Sequence, residues 1–160
     1  MTQMVPAPLD APTVTERTTA AIGLALSLAF HHLLPLRHRV AAVRTLRRLP
    51  AARRERVARL DTAVRYVIPS WWPGRIACME ISLATVLATA LTGYRASWAL
   101  GARRLPDAAH AWVDTAEGPV GHDTGDGADR PYTRVLSVPE EHPRTPRGSG
   151  GAPPPRTPIG

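Results

Sequence analysis

The only cysteine of the chain, Cys78, is the first residue with chemical potential, because a thiolate is an intrinsically strong nucleophile. Cys78 follows the turn-forming pair Pro73-Gly74 and begins a nearly continuous apolar stretch, residues 76–91, which predicts a buried helix. At the first turn of a helix, free backbone N–H groups and the helix dipole favour a thiolate and can stabilise an oxyanion. A lone cysteine is more often an inert buried thiol, so a chemical role requires a base nearby.

His110 is the candidate base. It lies 32 residues after Cys78 in the sequence AHAWV, which is typical of a strand. A histidine that approaches the cysteine can take its proton, and an acid on a neighbouring strand can then orient the imidazole. Asp114 cannot be that acid, because four residues of strand rise place it about 13 Å further along. These residues predict nucleophilic attack on a carbonyl.

Three segments resemble the transglutaminase-like leader peptidases of lasso peptide biosynthesis: residues 78–84 (CMEISLA), 109–114 (AHAWVD) and 119–121 (PVG). These peptidases are the standalone protease half of a split maturation protein, and the resemblance covers roughly residues 75–138. It implies a papain-like set of Cys78 as nucleophile, His110 as general base and an acid. It also implies a precursor peptide cut at its leader–core junction, a separate leader-recognition protein and an ATP-dependent cyclase that closes the macrolactam.

The acid that completes this set is left open by the sequence. The related peptidases carry it twelve residues after the histidine, where this chain has His122, followed by Asp123. Because side chains alternate along a strand, a two-residue loop around residues 116–118 would put Asp123 on the face of His110. A three-residue loop would put His122 there instead. We predict Asp123, because an anion stabilises imidazolium better than a second imidazole does, with Asp126 as the reserve.

Two aromatic residues, Trp71 and Trp72, shortly precede the cysteine. We predict that they pack in the core or at the rim of the substrate groove, with an indole N–H at the oxyanion site as the alternative. The related peptidases often have Gly-Gln just before the cysteine, whereas residues 75–77 here are Arg-Ile-Ala. No side-chain amide is therefore expected to stabilise the oxyanion.

The rest of the sequence predicts the elements that position these residues. Apolar spacing indicates helices, and His31 and His32, being adjacent, point to different sides of the first one and are predicted to be structural. Short segments separated by Gly, Pro and Asp indicate an antiparallel sheet. The fold class is α+β, with N-terminal helices before a papain/transglutaminase-like core in which the cysteine helix packs on the sheet. The predicted helices are 20–34, 37–49, 51–67 and 76–91, and the predicted strands are 95–102, 109–115, 118–122 and 134–138.

Composition divides the chain into four regions. Residues 1–13 contain three prolines and are predicted to be a flexible lead-in. Residues 14–68 are helical and arginine-rich, and residues 69–138 form the predicted peptidase core. Residues 139–160 are rich in Pro and Gly and are predicted to be disordered.

The formal charge of +7 is concentrated between Arg37 and Arg59, where nine arginines accompany one acid, Glu55. The plainest interpretation is a solvated helical face. With few aromatics for base stacking, we expect such a face to bind protein or peptide and not nucleic acid. Two alternatives to a peptidase stay open at this point: a catalytically silent scaffold of the same maturation complex, suggested by the displaced acid, and an Arg-rich helical nucleic-acid binder.

Several classes of function are excluded by what the sequence lacks. There is no lysine, which excludes Schiff-base and P-loop chemistry, and one cysteine excludes internal disulfides and Cys-rich zinc sites. We therefore predict neither cofactor nor metal. The apolar stretch 20–34 is shorter than the roughly 20 residues of a membrane span and lacks signal-peptide features. Stable membrane insertion is not expected, and the predicted location is cytoplasmic.

Overall fold

The computed structural model describes residues 11–70, 76–104, 108–121 and 132–139. Helices come first in the chain and strands follow, so the predicted α+β class with the cysteine helix packed on an antiparallel sheet is confirmed. The helices are α1 (Val14–Leu33), α2 (Leu36–Thr45), a short 3₁₀ turn (Leu46–Arg48), α3 (Arg54–Val67) and α4 (Cys78–Leu91). The strands are β1 (Ser97–Arg103), β2 (Ala108–Thr115), β3 (Gly118–Val120) and β4 (Thr133–Val138).

Helix α1 begins with a complete capping box. The hydroxyl of Thr13 accepts from the backbone N–H of Glu16 at 3.3 Å, and the Glu16 carboxylate accepts from the backbone N–H of Thr13 at 2.8 Å. That backbone donor, assisted by the Thr13 hydroxyl and by Arg59, holds the pKa of Glu16 below its usual range. Backbone N–H groups at the start of α1 are therefore capped by side chains of the same helix end, and Arg59 of α3 holds the Glu16 carboxylate.

Proline separates the helices that follow. Pro35 lies between α1 and α2, and Pro50 lies between the 3₁₀ turn and α3, as the sequence predicts. Pro cannot continue a helix, because its ring occupies the space of the preceding turn and it has no N–H. The two prolines therefore divide the N-terminal part of the chain into the three helices α1, α2 and α3.

The sheet has the strand order β3-β2-β1-β4, with every pair antiparallel. The β2–β3 hairpin pairs Thr115 with Gly118, so its loop has two residues, Ala116 and Glu117. β3 pairs only with the last three residues of β2, and within the described residues the first half of β2 has no neighbour on that side. This leaves a strand edge that can border a site.

Helix α4 is enclosed between the sheet and the N-terminal helices. Leu83 and Val86 of α4 pack with Trp98 and Val113 of the sheet in one buried cluster. Ala84 packs on the opposite side against α1 and α3 in a second buried cluster. At Gly23 the two helices α1 and α4 approach closely, because a Cβ there would lie 2.7 Å from the Ala84 carbonyl oxygen.

Some predicted features fall outside the described residues. They include Trp71 and Trp72, most of the lead-in, and residues 140–160 of the predicted tail. Among the helices that are described, none combines the length and the apolar content that crossing a bilayer requires.

Candidate active site

A cleft of about 390 Å³ lies where the start of α4 meets β2 and α3. Cys78 and His110, the two residues predicted to do chemistry, both line it. Asp61 and Arg65 of α3 form another wall, and Gly121 lies at the end of β3. The fold thus brings into one cleft two residues that are 32 positions apart in the chain.

Cys78 is the first residue of α4 and is partly exposed. The N-cap residue is Ala77, which has no side-chain oxygen to accept the N–H groups of the first turn. The carboxylate of Glu80 accepts from the backbone N–H of Ala77 at 3.0 Å and so satisfies the donor just outside the helix. The donors of the first turn are left without a side-chain cap, as the sequence-based prediction of an anion-stabilising helix start requires.

Residues from α1 and α2 hold this helix start in place. Ser27 donates to the Glu80 carbonyl at 2.8 Å, and His31 Nε2 lies 3.4 Å from a Glu80 carboxylate oxygen. Arg39 is buried and contacts His31 Nδ1 at 2.9 Å and the Leu34 carbonyl at 2.8 Å. Because a guanidinium only donates, Nδ1 of His31 accepts, which leaves Nε2 to carry the proton that faces Glu80. His31 therefore has the structural position expected of it.

His110 lies in the first half of β2, where the strand has no paired neighbour on the β3 side among the described residues. Side chains alternate along β2, so His110, Trp112 and Asp114 share one face, while Val113 points into the helix-facing core. The His110 ring stacks on Trp112 with 6.1 Å between ring centroids and an interplanar angle of 18°. On another side it meets Tyr132 at 5.3 Å. Its Nε2 lies 3.4 Å from the carbonyl oxygen of Gly121.

Asp114 secures Trp112 from the next position on the same face. The indole N–H of Trp112 donates to Asp114 Oδ1 at 2.9 Å, and Arg134 of β4 contacts Asp114 Oδ2 at 2.7 Å. Asp114 is 6% exposed and Trp112 is 5% exposed. The exclusion of Asp114 as the residue that orients His110 directly is consistent with this geometry, because Trp112 stands between them along the strand.

Asp61 and Arg65 were not anticipated as site residues from the sequence. Arg65 Nε donates to Asp61 Oδ2 at 2.9 Å, one helical turn apart, and Thr85 of α4 donates to Asp61 Oδ1 at 3.2 Å. Asp61 is 8% exposed, which is unusual for a carboxylate. The available signal was an acid on the apolar face of α3, between Leu60 and Val64, but nothing local shows that this face meets the cysteine helix.

The acid predicted to complete the set is not among the residues that the structure describes. Asp123, His122 and Asp126 lie outside the described residues. The hairpin that precedes them has the two-residue loop, which is the register under which Asp123 was predicted. In the described ranges there is no group of three or more His, Cys, Asp or Glu side chains that could hold a metal ion.

A comparison with protein families identifies the class to which this architecture belongs. The model of the transglutaminase-like superfamily matches residues 20–137, which is most of the chain, and the protein belongs to that superfamily. The match begins within α1, so it includes the N-terminal helices as well as nearly all of residues 75–138, which carry the sequence motifs. Neither a curated protein nor a solved structure gave a match to this chain.

Proposed function

We propose that this protein is a cysteine peptidase that removes the leader from a ribosomally made lasso precursor peptide before macrolactam closure. The observation that carries the proposal is that Cys78, at an uncapped helix start, and His110 both line one cleft of a transglutaminase-like fold. Members of this superfamily are typically cysteine hydrolases. The finer assignment to lasso precursors rests on the motifs CMEISLA and AHAWVD.

The reaction uses groups at the cleft in turn. His110 accepts the Cys78 proton, and Sγ forms a bond to the carbonyl carbon of the scissile peptide. The carbonyl oxygen becomes an oxyanion, and backbone N–H groups of the first turn of α4 donate to it. The proton passes from His110 to the leaving amine as the C–N bond breaks, which leaves a thioester. Water, deprotonated by His110, then releases the carboxylate product and restores the thiol.

Asp123 is the acid that orients His110 in this proposal. The β2–β3 ladder pairs Val113 with Val120, and the same register continued would set position 123 opposite position 110. The carbonyl of Gly121, from which the chain continues, lies beside the imidazole. These two observations favour Asp123 over His122.

The proposal includes two protein partners and a cytoplasmic location. A separate leader-recognition protein presents the precursor, and an ATP-dependent cyclase takes the cleaved core. Arginines exposed on α2 and α3, such as Arg37, Arg44 and Arg56, offer a basic surface that suits an acidic protein or peptide. Nucleic acid is not a proposed partner, and a gel shift that is tight and steeply salt-dependent would contradict this.

The test is cleavage of a lasso precursor by the purified protein together with a leader-recognition protein, followed by mass spectrometry. Cys78→Ala and His110→Ala are expected to lose cleavage by at least about a thousandfold while staying folded, as for members of a catalytic triad. Glu16→Gln, far along the chain from the cleft residues, serves as the matched control and is expected to cleave normally. Full cleavage by Cys78→Ala would contradict the peptidase assignment. Lasso product formation that needs the protein but not Cys78 would favour the scaffold alternative.

A further inference from the structure

We propose that Trp112, fixed by Asp114 and Arg134, is a positioning residue that holds the imidazole of His110 toward the cysteine cleft. Neither Trp112's indole N–H nor Asp114 has a role in the reaction steps above. The inference rests on the proposed function, because it needs His110 to act on Cys78. It adds that the sheet itself, and not only an acid, sets the orientation of that ring.

The first support is the stacked pair. The rings of His110 and Trp112 are nearly parallel, with an interplanar angle of 18°. Both side chains leave the same face of β2 two residues apart, so the strand pleat alone brings them together. Trp112 on one side and Tyr132 on another limit rotation of the imidazole, and its Nε2 lies 3.4 Å from the carbonyl oxygen of Gly121, which lines the cleft.

The second support is the way the indole is held. Asp114 accepts the Trp112 indole N–H at 2.9 Å and pairs with Arg134 at 2.7 Å. A carboxylate buried to this extent is costly unless it is paired and hydrogen-bonded. One Asp114 oxygen accepts the indole N–H, and the other forms an ion pair with the Arg134 guanidinium. Asp114 does not line the cleft, so these contacts act on the site only through Trp112.

The third support is the room made for the indole. Gly101 pairs with His110 across β1 and β2. A Cβ at Gly101 would lie 2.6 Å from the Trp112 ring, a distance that side chains do not tolerate. The glycine thus lets the indole lie across β1, where it reaches both His110 and Asp114.

The experiment measures alkylation of Cys78 by iodoacetamide and requires no peptide substrate. A cysteine paired with a histidine reacts faster at pH 6, relative to pH 8.5, than an unpaired thiol does. The ratio of the two rates is therefore a measure of the Cys78–His110 pairing. The other charged groups in the described part of the cleft, Asp61 and Arg65, are unchanged in all variants.

Removal of Asp114, the acceptor of the Trp112 indole N–H, is expected to lower the ratio of the alkylation rate at pH 6 to that at pH 8.5. Asp114→Ala should reduce it by about tenfold, because a loosely held imidazole spends less time near the thiol. Asp114→Asn keeps an oxygen for the indole N–H and should retain at least half of the wild-type ratio. Trp112→Phe keeps a flat ring without the N–H and should fall between the two. Glu16→Gln, which removes an acid from a surface ion pair, is the control and should match the wild type.

The outcomes separate this inference from the proposed function. If His110→Ala leaves the ratio unchanged, the Cys78–His110 pair is wrong and both proposals fail. If His110→Ala lowers the ratio but folded Asp114→Ala and Trp112→Phe keep the wild-type value, only the positioning role is overturned. If circular dichroism shows that Asp114→Ala does not fold, Trp112→Phe decides: a lowered ratio supports the role and a wild-type ratio overturns it.

Discussion

Helices α1 and α4 begin in opposite ways, although both have a glutamate at the third helical position. At α1 the Thr13 hydroxyl and the Glu16 carboxylate each satisfy a backbone N–H of the other residue. At α4 only the second half of that exchange exists, because Ala77 has no side-chain oxygen while Glu80 still accepts the Ala77 N–H. The first helix start is closed by its own cap, and the second is left open at the residue that carries the thiol.

The difference shows how stability and reactivity are divided in this fold. An uncapped helix start costs about 1 kcal/mol relative to a Ser, Thr or Asp cap. At α4 that cost is offset by contacts from other helices, since Ser27 holds the Glu80 carbonyl and His31 approaches the Glu80 carboxylate. The helix start is thus fixed in space while its N–H groups remain available.

The largest expected effect is a loss of stability when Arg39, which holds the residues that support the start of α4, is removed. Arg39→Ala deletes charged hydrogen bonds to His31 and to the Leu34 carbonyl, so urea unfolding should show a loss of about 2–3 kcal/mol. Arg37→Ala, on the exposed side of the same helix, should change stability by less than about 0.5 kcal/mol. Equal losses in the two variants would mean that the buried contacts do not support α4.

Closing the start of α4 should trade reactivity for stability. In Ala77→Asp, the new carboxylate accepts a first-turn N–H and places a negative charge beside Cys78. Alkylation of Cys78 at pH 7 should slow by about tenfold, while the unfolding free energy rises by about 1 kcal/mol. Ala77→Ser adds a neutral cap and should slow alkylation less. An unchanged rate in Ala77→Asp would show that the open helix start does not activate the thiol.

Removing the cap of α1 should lower the stability of the fold without changing the reactivity of Cys78. Thr13→Ala removes the hydroxyl cap and should cost about 1 kcal/mol, visible as a fall in Tm of about 2–4 °C. Cys78 alkylation should stay at the wild-type rate, since neither Thr13 nor Glu16 lines the cysteine cleft. A change in that rate would mean that the two helix starts are coupled.

The smallest effect is a pH dependence at α1. The pKa of Glu16 is lowered in the folded protein, so its contribution to stability is present above the unfolded value of about 4.3 and is lost as the pH falls through the folded value. Glu16→Gln should therefore melt at a lower temperature than the wild type at pH 7. The two melting temperatures should converge once the pH falls below the lowered pKa of Glu16 in the folded protein, because protonated Glu and Gln are then both neutral. A constant difference across this range would contradict the assignment.

Local rules account for the elements of this fold, and long-range packing accounts for what they could not predict. Pro35 and Pro50 predict the breaks between helices, and alternation with turn residues predicts the four strands. Cys78 and His110 stood out because each has a reactive side chain in a distinctive local sequence. Asp61 and Arg39 did not, because their burial depends on which helix lies opposite them. The contacts of Asp114 with Trp112 and Arg134 depend in the same way on the neighbouring strand. Such partners are set by tertiary contacts that no short sequence window contains.

The close contact of α1 with α4 at Gly23 predicts what would happen if α1 were separated from the rest of the chain. Because α1 lies so close to α4 there, a chain beginning after α1 would leave a groove floored by Ala84 and Ala88 and bordered by the apolar side chains of Val64 and Ile81. That groove fits one helix of matching small-residue pattern. A free peptide of residues 11–34 should accordingly bind such a shortened chain and restore its Cys78 reactivity, which makes α1 a candidate for fragment complementation.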